Sequence, residues 1–505
     1  MVFLRKFLSR YRFEITTFVI LTIAYFSLRL YKIMSLPIFT DEAIYTRWSQ
    51  IARYDPAWRF ISLTDGKQPL FVWFDMLIMR IVSDPLLAGR LVSVFAGFFT
   101  MIGLYFLGKE AFKNRNVGII SSFLYLIYPF ALVYDRMALY DSLVGTFAVW
   151  GLYLEILLVR KLRLDLALIL GMVLGGGVLT KTSGFFNIYL MPFLLIIFDW
   201  NRKKRTQRLI NFILLFGLSS VLAYGYYSVL RLSPFFNIIN EKNTIFVYPL
   251  HDWVNHPFNF FEGNIRGVWD WFITYLTWPV FLLVISSFFV SFKFLREKIL
   301  LLIWFMVPFV ALALFGRVLY PRFIFFMTLS LLPLSALSIS EIYERLRNKY
   351  VAFLAILVFL LLAIRGDYMI LANFSKAPIP YSDLEQYING WPGGGGINEV
   401  IRYLDKESKK GRIYVLSIGT FGSLPTYSAE IYFGDNKNVE KRGIYPIPET
   451  IPKDLLEKAK TMPVYVFFSN QEEFRAQIKS WPLQKILEFQ KGTGTSKTIL
   501  YKVSP

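Results

Sequence analysis

Two carboxylates, Asp41 and Glu42, stand side by side in Leu-Pro-Ile-Phe-Thr-Asp-Glu-Ala-Ile-Tyr, just after the first long apolar stretch of the chain. A second charged site, Arg136 to Asp141, follows a later apolar stretch, and counting crossings puts both on the same side. Ionisable groups at one face of a lipid-embedded helix bundle are costly and are kept for function. A carboxylate there suits a general base acting on a lipid-linked substrate. Other charged residues at span ends on that side are Lys181, Arg317 and Arg322. Each suits either an ordinary flanking residue that snorkels to the interface or a cation that offsets an anionic ligand. His251 and His256 are five apart around Asp252, which is not a metal-ligand spacing.

The elements that must hold these groups are membrane spans. Of 505 residues, 55% are hydrophobic and 18% charged, and mean hydropathy is +0.47. Apolar stretches long enough for a helix to cross a bilayer fall near 13–34, 86–111, 117–134, 139–159, 164–180, 184–200, 209–230, 267–292, 299–316, 322–340 and 350–365. The expected fold is an all-α polytopic bundle of about eleven transmembrane helices with a small soluble α/β domain at its C-terminal end. The domains are expected at 1–366 and 367–505. The formal charge of +20 does not point to nucleic acid, because Lys and Arg cluster in short loops between spans. Basic loops recur on alternate turns: Arg5 to Arg12, Lys113 and Arg115, Arg160 to Arg163, Arg202 to Arg208, Lys293 to Lys298, and Arg345 to Lys349. By the positive-inside rule these face the cytoplasm. The predicted location is therefore a multi-pass plasma-membrane protein with its N-terminus cytoplasmic and its C-terminal domain extracytoplasmic. The first span reads as a helix of the bundle and not as a removable signal, since its apolar core is long and no small-residue cleavage pattern follows. There is no cysteine, so neither disulfides nor thiolate metal sites are available.

The first outer loop, residues 35 to 85, carries five basic and six acidic residues, one net negative charge. Tyr45, Trp48, Tyr54, Trp58 and Phe60 suit helices lying in the membrane interface. Residues 68 to 85 are apolar enough for a further crossing, but Asp75 and Arg80 interrupt them, and a crossing there would invert every later loop. They are expected to form an interfacial or re-entrant helix. From about residue 381 the pattern turns soluble, with helix-like 399–410 and 455–460 and strand-like runs at 412–418, 464–468, 485–489 and 498–503. The four-glycine run Gly393 to Gly396 lacks a following Gly-Lys-Ser/Thr and reads as a loop, not a phosphate cradle.

Five motifs in order then carry a resemblance: Asp41-Glu42-Ala-Ile-Tyr, Lys67-Gln-Pro-Leu, Ala-Gly89-Arg90-Leu-Val-Ser-Val, Arg136-Met-Ala-Leu-Tyr-Asp141-Ser-Leu, and Leu-Thr180-Lys181. Together they resemble the glycosyltransferase C superfamily, closest to its protein O-mannosyltransferase and aminoarabinose transferase branch, over roughly residues 10 to 340. The stretch Tyr-Ile-Asn-Gly-Trp391-Pro-Gly-Gly-Gly-Gly resembles the tail of prokaryotic members. The resemblance implies a polyprenyl-phosphate sugar as donor and an acidic residue of the first outer loop at the catalytic centre. Here that is Asp41, with Glu42 beside it, and the second acidic motif corresponds to Asp141. The family's Lys-Pro-Pro lysine corresponds to Lys67, although this chain reads Lys-Gln-Pro. The large lumenal insert of the eukaryotic mannosyltransferases is missing, which favours a prokaryotic enzyme.

The reaction expected on these grounds is inverting transfer from a polyprenyl-phosphate sugar to an acceptor on the outer face. Asp41, Glu42 and Asp141 are the catalytic candidates, and Lys67, Arg136, Lys181 and Arg322 the candidates for the donor phosphate. Which of Asp41 and Asp141 is the base stays open. No cofactor is required, although two carboxylates near a phosphate could recruit a divalent ion. The expected partners are the donor lipid, the bilayer, and a protein, lipid or glycan acceptor, with no nucleic acid. Two other classes were weighed. A lipid-linked sugar transporter or flippase would show internal repeats and mid-membrane ionisable groups, and neither is evident. A scaffold that uses the bundle as an anchor would not need eleven spans.

Overall fold

The computed structural model describes residues 12–469 and 477–504. Each of the eleven apolar stretches is helical within that range. Seven helices are individually long and apolar enough to cross a bilayer: Arg12–Ser35, Pro85–Phe112, Tyr140–Lys161, Arg205–Leu232, Leu295–Phe315, Pro321–Arg345 and Lys349–Ala372. The other four stretches are short or broken, and the breaks follow the prolines. Pro129 opens helix Pro129–Tyr134 and holds Tyr128 extended, which separates it from Arg115–Leu126. Pro192 starts a 3-10 turn, Met191–Ile196, directly after helix Phe185–Leu190. Pro279 follows Thr277, whose φ is 68°, and there the stretch expected as one span at 267–292 splits. Its halves, Phe261–Leu276 and Trp278–Val290, meet at 95°. Leu164–Thr180 is the remaining short apolar helix.

The first outer loop folds into helix Thr40–Tyr54, two 3-10 turns, and helix Leu70–Ile78. At nine residues the last spans roughly 14 Å, far less than a bilayer core. It does not cross, in keeping with the reading of 68 to 85. Asp75 is fully buried on it, against Gly89 of helix Pro85–Phe112, and neither of its oxygens has a hydrogen-bond partner among the described residues. Burial pushes its carboxyl well above the usual range.

The last span runs six residues past the expected boundary at 366, to Ala372. Beyond it lies a five-stranded sheet in the order β2-β1-β3-β5-β4, with β1 Ile413–Ile418, β2 Val439–Ile444, β3 Val464–Phe468, β4 Leu483–Gln490 and β5 Lys497–Val503. β1 is parallel to β2 and β3, while β5 is antiparallel to β3 and β4. The central strands β1 and β3 are buried along their whole length, as two-sided coverage requires. The four expected strand runs fall on β1, β3, β4 and β5. β2, reading Val-Glu-Lys-Arg-Gly-Ile, has too little apolar character to stand out.

The sheet domain is seated on the first outer loop. Helix Leu424–Phe433 packs against helix Thr40–Tyr54, where Arg47 Nε meets Glu430 Oε2 at 2.8 Å and Gln50 Nε2 donates to the Ile431 carbonyl at 3.1 Å. One contiguous apolar core runs from Leu21 through the bundle to Tyr465 and Leu500 of the sheet.

Candidate active site

Asp41 lies in the first turn of helix Thr40–Tyr54, and Asp141 in the first turn of helix Tyr140–Lys161. Carboxylates are favoured there by the helix dipole. Asp141 is almost fully buried and takes the Lys181 ammonium at 2.6 Å. Lys181 caps helix Leu164–Thr180, and its charge lies 4.7 Å from the ring centre of Phe323. Arg322, on the turn Pro321–Ile324, places Nη2 3.0 Å from Asp41 Oδ2. Its guanidinium also lies over Tyr320 and Phe39. Arg322 Nη1 is buried and bonds to no described group.

These residues surround a cavity of about 430 Å³, within the usual size of a ligand site. Lys67, Asp141, Lys181 and Arg322 all line it. Asp41 meets it through Arg322. A fourth cation in the lining, Lys242, is one that sequence reasoning did not single out. It sits on helix Ile238–Phe246 and shares Asp65 with Lys67, at 2.5 Å and 3.9 Å respectively. Four cations thus face a space whose own lining holds one carboxylate. The rest of the wall is largely aromatic, with Phe186, Phe246, Phe323 and Phe326, and it reaches the bundle surface at Tyr189, which is 61% exposed. Gln68, the departure from the family's Lys-Pro-Pro, joins this wall and donates from Nε2 to Thr182 Oγ1 at 2.9 Å. It ties the first outer loop to the loop that carries Lys181.

Two candidates are placed elsewhere, and the expectations for them are corrected. Glu42 is fully buried and faces away from the cavity. It accepts from the backbone N–H groups of Phe39 at 3.0 Å and Ala138 at 2.7 Å, and from Arg90 Nε and Nη2 at 2.9 and 2.8 Å. It is the capping residue of its helix and the partner of Arg90, with no acceptor capacity left facing substrate. Arg136 is also buried and does not line the cavity; its Nη2 donates to the carbonyl of Tyr31 at 2.8 Å. Burial, with Arg90 and Arg29 nearby, pulls it down to about 10. The signal for Glu42 was present in the quoted Gly89-Arg90 motif, since an arginine inside an apolar helix needs a buried anion. Lys242 offered none, being one cation among several in a long loop.

The tail reaches this end of the bundle as well. Thr40, next to Asp41, donates its N–H and its hydroxyl to the Pro392 carbonyl at 3.0 and 2.9 Å. Phe39 forms a bridge with Gly393. A Cβ on Gly394 would fall 2.2 Å from the Ile38 carbonyl, so the glycine run permits this close approach. Among the described residues, no group of three or more His, Asp or Glu is arranged to hold a metal ion.

A family model described as dolichyl-phosphate-mannose-protein mannosyltransferase matches residues 66–227. That segment contains Lys67, Asp141, Lys181 and the helices that carry the last two. The fold as a whole matches ArnT from Cupriavidus metallidurans in the apo state with a TM-score of 0.61, covering 98% of this chain and 100% of that one at 11% identity. The family model covers less than half of the chain, and the likeness to ArnT shows a shared fold. The same ArnT bound to undecaprenyl phosphate matches this chain at a TM-score of 0.58 and 13% identity, over 98% of this chain and 99% of that one. The archaeal oligosaccharyltransferase AglB from Archaeoglobus fulgidus, in complex with an inhibitory peptide and a dolichol-phosphate, gives 0.54 at 14% identity, over 94% of this chain and 71% of that one. No curated protein matches the sequence. At these identities the structural likeness establishes the fold alone.

Proposed function

We propose that this glycosyltransferase moves a sugar from a polyprenyl-phosphate donor to an acceptor at the outer face of the membrane, inverting the anomeric carbon. The observation that carries the reading is the four-cation, aromatic-walled cavity in contact with the Asp41–Arg322 pair. The donor is a phosphodiester with one negative charge, and the polyprenyl phosphate that leaves gains a second, so preorganised cations are needed where that charge develops. Lys67, Lys181, Lys242 and Arg322 supply them, while the aromatic wall open at Tyr189 accommodates the first isoprene units. The presence of undecaprenyl phosphate in ArnT and dolichol-phosphate in AglB supports a donor of this class.

Asp41 acts as the base. Asp141 is held by Lys181 at 2.6 Å with 6% of its side chain exposed, whereas Asp41 is held by Arg322 at 3.0 Å and keeps 23% exposed. It therefore has capacity to accept the proton of a hydroxyl or amine as the acceptor attacks the anomeric carbon. That bond forms as the bond to the phosphate oxygen breaks, and the electron pair goes to the phosphate. Asp141 positions Lys181. No metal is needed for this step.

The test is transfer or slow hydrolysis of radiolabelled sugar from a panel of polyprenyl-phosphate monosaccharides by the purified protein in liposomes. Wild type is expected to release sugar from one or more donors, and Asp41→Asn to lose that activity while remaining folded. An inert wild type that instead moves lipid-linked sugar across the bilayer would establish a flippase.

A further inference from the structure

The segment that leads from the last span into the sheet domain buries a carboxyl group beside the catalytic pair. Asp383, on the short helix Tyr381–Leu384, is fully buried. Its Oδ2 accepts from the hydroxyl of Tyr134 at 2.8 Å and from the hydroxyl of Tyr275. Tyr134 also meets the Tyr387 hydroxyl at 3.0 Å. The Tyr387 ring packs edge-on against Phe39, with centroids 4.9 Å apart. Phe39 lies 5.6 Å below the guanidinium of Arg322, which holds Asp41. A continuous chain of contacts thus runs from Asp383 to the base. Asp383 Oδ1 and Arg322 Nη1 are both buried, and neither makes a hydrogen bond to a described residue.

We propose that Asp383 is a positioning residue for the Asp41–Arg322 pair, so that the tail completes the active centre of the transferase. The proposal rests on the transfer reaction above. If Asp383 only anchored two tyrosines, an asparagine would serve equally well, because its amide oxygen accepts the same bonds. A carboxyl adds a charge that can be switched. The groups facing it are Tyr134 and Tyr275 from the bundle, Tyr387 from its own segment, and Arg322 and Asp141 from the cavity side. Burial raises its pKa most, the Tyr275 and Tyr134 hydroxyls and then Arg322 lower it, Asp141 raises it, and the result is about 7. Once ionised, Asp383 competes with Asp41 for the Arg322 charge, and Asp41 becomes a stronger base. Protonated, it leaves Arg322 wholly to Asp41.

The experiment uses the full chain in liposomes and measures sugar release from the donor selected by the transfer assay, under single turnover, between about pH 6 and 8. Wild type is expected to accelerate about tenfold across that window as a group titrating near its middle ionises. Asp383→Asn, which keeps both tyrosine bonds, is expected to give a flat profile. Tyr387→Phe leaves Asp383 and its two partners in place and is expected to keep the rise at a severalfold lower rate. An Asp383→Asn profile that retains the wild-type rise, or falls by one factor at every pH, would show a purely structural group and overturn the proposal. A wild type that rises with pH while Asp383→Asn does the same separates this failure from that of the transfer reading, which falls only if wild type releases sugar from no donor.

Discussion

Adjacent acids with different tasks make the sharpest prediction. Glu42 accepts four hydrogen bonds, two of them from Arg90, and both side chains are fully buried. In Glu42→Ala the Arg90 charge stays buried with only the carbonyls of Ile33, Leu36 and Pro37. Removing one partner of a buried pair costs about 3–5 kcal/mol. With an unfolding entropy of roughly 2 cal/mol/K per residue, a chain of this size changes stability by about 1 kcal/mol per degree near its midpoint. The midpoint in detergent should therefore drop by roughly 3–5 °C. Asp41→Asn removes one partly exposed ion pair, worth about 1 kcal/mol or less, so its midpoint should move by about a degree at most. Its kcat should fall by about two to four orders of magnitude as the base is lost. A thermal melt of the two variants followed by the transfer assay reads both quantities. The double variant Glu42→Ala/Arg90→Ala should recover part of the lost stability, since no charge is then left unpaired. The reasoning is refuted if Glu42→Ala melts with wild type, or if Asp41→Asn keeps its rate.

Two further outcomes follow from the cavity and the tail. Lys242→Ala removes one of four cations facing the cavity and should raise the donor KM about tenfold while leaving the melting temperature near wild type; a donor titration in the release assay reads it, and an unchanged KM would place Lys242 outside donor binding. Lys491 is fully buried in the tail, donating to the Trp391 carbonyl at 3.0 Å and to Ser469 Oγ at 2.8 Å, and burial pulls it down to about 7. Between that value and its unfolded pKa the unfolded chain binds the extra proton, so stability rises with pH above about 7, by up to about 1.4 kcal/mol per unit. Lys491→Met should lose this part of the pH dependence, checked by melts of both proteins at about pH 7 and 9, and equal slopes would contradict it.

The bundle was legible because span length and charge are set by the solvent each residue meets, and a run of twenty apolar side chains has few alternatives to a helix in lipid. Where the reading failed, a local rule won over composition. Pro279 after Thr277 bends a stretch whose hydropathy alone reads as one span. β2 is half-polar because it lies at the sheet edge, where one side stays uncovered. At the site, Asp41, Asp141 and Lys181 were legible as charges at span ends, and Lys67 through the resemblance of its Lys-Gln-Pro motif. The separation of Asp41 from Glu42 was not, since it depends on which way two neighbouring side chains leave one helical turn. Asp41 faces Arg322, 281 positions later in the chain, and Glu42 faces Arg90. Only the packing of helix Thr40–Tyr54 against helix Pro85–Phe112 decides between them.

That packing also explains why the tail belongs to the site and not beside it. Helix Thr40–Tyr54 carries Asp41 at its first turn, and the tail grips it at three places: Pro392 on Thr40, Glu430 on Arg47, and the Ile431 carbonyl on Gln50. The same helix is fixed to the bundle through Glu42 and Arg90. An element held from both sides along its length cannot shift the Asp41 backbone relative to Arg322 without disturbing one of those contacts. The cavity is lined only by bundle and loop residues, none beyond Phe326. The cavity and the tail therefore meet through helix Thr40–Tyr54, which holds Asp41 against Arg322 and puts Tyr45 in the cavity wall. A change confined to the tail should accordingly alter the rate of the chemical step more than the affinity for the donor.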